Sequence, residues 1–134
     1  MSASEQTSIG IVLLAVIGIA YGGSFLLRVV NGAAPANDLQ RTYFRAGHAH
    51  AGVLVILGLV VQLVMDAAVV PGWSSTFADL VLFAAIAMPA GFFLSVVGRD
   101  PQRTNRFRYL IAAGALMLVV GLAAAGVGLI VGAA

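Results

Sequence analysis

A chain of 134 residues with 61% hydrophobic and only 9% charged side chains departs sharply from water-soluble domains, in which about a quarter of residues are charged. The composition predicts an integral membrane protein of a single domain, with no length to spare for a separate soluble catalytic unit. Cysteine is absent, which excludes disulfides, iron–sulfur clusters and thiolate-ligated heme, and the formal net charge is only +2.

Crossing about 30 Å of hydrocarbon takes roughly 20 helical residues, and four apolar runs reach that length: residues 9–30, 46–70, 79–98 and 109–132. Short connections between them predict an all-α, antiparallel four-helix bundle in the membrane. The first run contains Tyr21 and the small-residue pair Gly18 and Gly22. Ala34-Pro35-Ala36 after it has the small-residue form of a signal-peptide cleavage site. The segment before the run, however, carries Glu5 and no Lys or Arg, and the run is long for a signal core, so we read a retained span.

The second run opens in Arg45-Ala46-Gly47-His48-Ala49-His50-Ala51-Gly52, contains Gln62 and Asp66, and is expected to stop at Pro71-Gly72. Thr76-Phe77-Ala78-Asp79 has the form of a capping box opening the third run. Within that run Pro89 removes a backbone hydrogen bond and predicts a kink, a place where Gly91, Phe92 and Phe93 could line a cavity. Ser95 and Gln62 are expected to satisfy their hydrogen bonds inside the bundle, and Asp100-Pro101 ends the third run. Ala124, Gly128 and Gly132 continue a small-residue spacing down the fourth.

All seven basic residues, Arg28, Arg41, Arg45, Arg99, Arg103, Arg106 and Arg108, lie in or beside the first and third connections, while Glu5, Asp66 and Asp79 mark the other side. The positive-inside rule then puts the arginine loops in the cytoplasm and both termini outside, at the inner membrane of a bacterial cell. Arginines at a membrane face can contact anionic lipid, and no stacking platform or groove-reading motif accompanies them, so nucleic acid is not an expected partner.

Only His48 and His50 carry side chains whose chemistry would define a cofactor site. Residues two apart on a helix point about 200° away from each other, so both cannot ligate one ion from a regular helix. A single axial ligand to heme is the better fit, since it needs one imidazole and a flat slot lined by small side chains. His50 is favoured as that ligand because Ala46 and Gly47 lie one turn before it, whereas Phe44 and Arg45 precede His48. His48 would face elsewhere, toward a propionate or a neighbouring subunit, and Arg28, Arg41 and Arg45 are suitable partners for two propionates.

The segment Arg45 to Gly52, followed by an apolar run ending in Asp66, resembles the corresponding region of the styrene oxide isomerase family, small four-span membrane proteins with an Ala-His-Ser-Gly-like motif opening the second span. Gly91-Phe92-Phe93-Leu94-Ser95 is similar to an aromatic Gly-Phe-Tyr-Leu segment in that family's third span. The resemblance implies a homotrimer with heme b at its subunit interfaces, the motif histidine being His50, and a ferric iron acting as Lewis acid on the epoxide oxygen of a small apolar substrate. The family's Asn six residues after the histidine falls on Ile56, and its aromatic hydroxyl in the third span on Phe93. The acidic residue before that segment has no counterpart between Phe83 and Pro89. Heme binding is therefore implied more directly than epoxide isomerisation. Two other classes compete: a cofactor-free accessory subunit of a larger respiratory or transport complex, and a small-solute transporter, which lacks the buried carboxylate or broken-helix pair of a pathway.

Overall fold

The computed structural model describes residues 3–134, the side chains of Ser4 and Glu5 excepted, so Glu5 as a charge marker lies outside the described residues. The described residues form helices α1 (Ala3–Val30), α2 (Asp38–Ala67), α3 (Gly72–Ala78), α4 (Leu80–Ser95) and α5 (Tyr109–Gly132), with a 3-10 turn at Arg106–Arg108 leading into α5 and no strand among them. Four stretches are long and apolar enough to cross a membrane: Gln6–Val30, Asp38–Ala67, Gly72–Ser95 and Arg106–Gly132.

Local chemistry explains where the boundaries depart from the apolar runs. The second helix starts at Asp38, eight residues before the expected position, because Asn37 and Gln40 form a reciprocal capping box: the Gln40 N–H donates to Asn37 Oδ1 at 2.9 Å and the Asn37 N–H to Gln40 Oε1 at 3.2 Å. It closes at Ala67, and Pro71 opens α3 as its N-cap residue where the sequence predicted a stop for the preceding span. The expected capping box at Thr76 does not form, since that residue is already helical and its hydroxyl donates back to the Gly72 carbonyl at 3.1 Å. Asp79 joins α3 to α4 with right-handed helical dihedrals, so the two pieces act as one span. At the end of α1 Gly32 takes φ 74°, a left-handed stop, and the Ala33 N–H returns to the Arg28 carbonyl at 2.8 Å.

Glycines set how closely the helices approach. A Cβ at Gly91 of α4 would stand 2.7 Å from the Ile111 backbone nitrogen of α5, and one at Gly114 of α5 would stand 2.8 Å from that of Met88 in α4. Each helix thus presses its backbone into a glycine of the other. The Pro89–Gly91 stretch is consequently a packed dock on α5, with Pro89 buried inside a continuous helix, rather than the border of a cavity. Gly128 likewise lies against Ser74, so the small-residue face of α5 is used within the chain. Leu54, Val55, Ala85 and Met88 form the main core, flanked by side chains from α1 and α5. Helix α1 is the outlier: its backbone comes close to α2 alone, and of its described residues only Val29 is buried.

Candidate functional site

The two histidines lie on opposite edges of the buried stripe of α2, as their spacing requires. His48 points to α1, where a Cβ on Gly23 would come within 3.3 Å of its Cε1 and Nε2, and one on Gly22 within 3.7 Å of its Nδ1. Bare backbone at these two glycines makes room for the ring. His50 points to α4 and lies 4.9 Å from the Phe92 ring, centroid to centroid, with a 30° tilt. Phe92 also meets Tyr43 edge-on at 5.7 Å, so Tyr43, Phe92 and His50 form one aromatic cluster between α2 and α4.

One hydrogen bond separates the histidines chemically. His50 Nδ1 is 2.7 Å from the Ala46 carbonyl oxygen, one turn earlier. A carbonyl only accepts, so Nδ1 carries the proton and the lone pair of the neutral ring resides on Nε2. Nδ1 makes the one hydrogen bond of the half-buried His50, so Nε2 is the nitrogen not engaged by it. The Ala46 carbonyl fixes ring direction and tautomer together, the arrangement that histidine ligands to metals ordinarily show.

The other site candidates divide between the two flanks. Ala46 adjoins His50 and supplies its hydrogen-bond acceptor. Gly47 has a different use from the open slot expected of it: it is buried, and a Cβ there would meet Phe92 Cβ and the Phe93 ring at 3.0 Å, so it brings α4 onto α2. Arg45, five residues before His50, projects about 140° around the helix from it and is exposed. Arg41 lines a cleft between the loops together with Arg99, and Arg28 is exposed in the last turn of α1. Within one chain, then, the arginines do not converge on His50.

Two cavities stand out, one of about 600 Å³ among the loops at the arginine-bearing end and one of about 340 Å³ between α1 and α4 near Asp79; neither is lined by a histidine. Ser95 donates to the Phe92 carbonyl at 3.1 Å and Gln62 to the Asp79 carboxylate at 2.8 Å, so both satisfy themselves inside the chain as expected. Tyr21 is 77% exposed. Among the described residues no three His, Cys, Asp or Glu side chains come together in a way that would hold a metal ion. Sequence reasoning missed Tyr43, whose signal was its position two turns before His50 on the same edge of a helix that begins at Asp38. No protein-family model matches the chain, and no curated protein or solved structure matches it either.

Proposed function

We propose that this protein is a membrane-embedded heme b protein in which His50 is the axial ligand through Nε2. The observation that carries the reading is the 2.7 Å bond from His50 Nδ1 to the Ala46 carbonyl, which holds the ring in one direction with Nε2 as the nitrogen left to ligate. The residues fit the group at the ligand atom: an imidazole anchored through Nδ1, small Ala46 beside it and the Phe92 ring limiting its rotation. When bound, ferric heme supplies a Lewis acid for an epoxide oxygen, the chemistry of the styrene oxide isomerases that the Arg45–Gly52 motif resembles. Isomerisation of a small apolar epoxide is the proposed reaction on that ground.

Within one chain Phe92 stands over the His50 ring, and Arg28, Arg41 and Arg45 do not gather beside it for the propionates. We therefore propose a homo-oligomer, a trimer by the same resemblance, in which an adjacent copy presents Arg45 and Arg28 toward that ring, while His48 keeps its seat on α1 of its own chain rather than reaching a propionate or a neighbouring subunit. Burying the apolar lateral surface of the bundle against another copy and lipid is consistent with this. The arginine loops are proposed to face the cytoplasm, with both termini outside the inner membrane.

The test is the absorbance spectrum of protein purified from cells supplied with heme. Wild type is expected to show a Soret band that survives in His48→Ala and is lost in His50→Ala. A colourless wild type, or a band lost in His48→Ala and kept in His50→Ala, refutes the assignment.

A further inference from the structure

The larger cavity carries a second inference, independent of any cofactor at His50. It is a cleft of about 600 Å³ at the arginine-bearing end, lined by Ala34, Pro35, Gln40, Arg41, Arg99 and Asp100 among others. Its walls come from the two connections, residues 31–37 and 96–105, which lie beyond the ends of α1 and α4 and at the start of α2. With the four helices across a bilayer, these residues sit at headgroup depth.

The cleft is built rather than incidental. Asn37 Nδ2 donates to the Asp100 carboxylate at 2.8 Å and to the Pro101 carbonyl at 2.7 Å, and Gln40 Nε2 donates to the Val96 and Gly98 carbonyls, both at 3.1 Å. These four bonds tie segments more than 50 residues apart, and Gln40 is buried while making them. Arg99 sits between Gly98 at φ 130° and Asp100 at φ 54°, the latter the single non-glycine residue in the left-handed region among those described. That turn aims Arg99 at the cleft and is held by the Asn37 contacts.

Charge points to the ligand class. Both arginines are exposed at an end that carries all seven of the chain's basic residues and two of its five carboxylates, Asp38 and Asp100. Asp100 offsets part of the charge in the cleft, and the N-terminus of the 30-residue helix α2 adds positive potential from below. Guanidinium forks match phosphate oxygens, and arginines at a membrane face attract anionic lipid. We propose that the cleft binds the phosphate of an anionic headgroup, with Arg41 and Arg99 as its cationic contacts.

The full chain in zwitterionic detergent micelles is titrated with dihexanoyl phosphatidylglycerol, dihexanoyl phosphatidylcholine and inorganic phosphate, and binding is read by native mass spectrometry and calorimetry. Wild type is expected to prefer phosphatidylglycerol to phosphatidylcholine, and Arg41→Gln/Arg99→Gln to bind it at least about tenfold more weakly. Arg103→Gln/Arg106→Gln, with the same net charge, should change binding less than about threefold. Phosphate binding with that same dependence and without phosphatidylglycerol binding supports the cleft with free phosphate as ligand. Equal losses in the two double variants, or a wild type indifferent to both anions, overturns the proposal. Protection of Arg41 and Arg99 from phenylglyoxal by whichever of the two anions binds wild type reads the same site without a variant, and protection by neither overturns the proposal.

Discussion

Replacing Gly91 by alanine isolates the contact that positions α4. The added Cβ would stand 2.7 Å from the Ile111 backbone nitrogen and from Ile111 Cγ1, and 3.1 Å from the Leu110 carbonyl carbon, where ordinary contact begins near 3.4 Å. A backbone nitrogen cannot rotate aside, so α4 and α5 must part locally by about 0.7 Å. A gap of that size forfeits roughly a quarter to a half of each dispersion contact across the seam. Alanine gains about 1 kcal/mol over glycine as a helix residue, and Gly126→Ala, with nothing within 4 Å of its Cβ position, shares that gain without the clash. The difference between the two variants therefore reports the clash alone, about 1–3 kcal/mol against Gly91→Ala. Unfolding by dodecyl sulfate in mixed micelles, followed by far-ultraviolet circular dichroism, measures it. Equal unfolding free energies within about 0.5 kcal/mol would refute the glycine-docked seam between α4 and α5.

Gln40→Leu removes the donor to the Val96 and Gly98 carbonyls and half of the capping box, and is expected to cost about 1–3 kcal/mol. Amide hydrogen exchange should rise across residues 96–105 while α5 stays protected; an unchanged loop would show that the staple is idle. Gly23→Leu should expel the His48 ring from its seat on α1 and leave the His50 tautomer as it was. Imidazole nitrogen-15 shifts read both rings at once, and a displaced His50 signal would contradict their separation.

The fold class was legible because membrane spans announce themselves by length and apolarity, and those signals are insensitive to detail. The start of α2 was harder, since Arg41, Thr42 and Arg45 dilute hydropathy over its first turns. The Asn37-to-Gln40 capping pattern marked the true start three residues apart in the sequence. Asp79 misled in the opposite direction: an acidic residue before an apolar run reads as a helix start, yet here it lies inside a span whose first two turns contain Trp73 and Phe77. Helical periodicity correctly separated His48 from His50, because it concerns one helix. It could not say that α1 takes one ring and α4 the other, nor that Gly47 is filled by Phe92 and Phe93, because those facts depend on which helices become neighbours.

That division of residues makes the proposed shared site testable without a structure of the assembly. Arg45 and His50 of one chain project about 140° apart on α2, too far for one ligand on His50 to meet both from the same helix. In a cyclic assembly, where one flank of each copy meets the other flank of the next, His50 of one chain would pair with Arg45 of its neighbour. Neither His50→Ala nor Arg45→Gln alone can then form a complete site. When the two chains are co-expressed and assemble at random, roughly a quarter of interfaces pair an intact His50 with an intact Arg45. Heme titration at limiting concentration should recover about that fraction of the wild-type, high-affinity Soret amplitude. An arrangement within one chain recovers none, since every chain lacks one of the two groups, and that outcome would remove the subunit-shared site while leaving the ligand assignment of His50 to its own test.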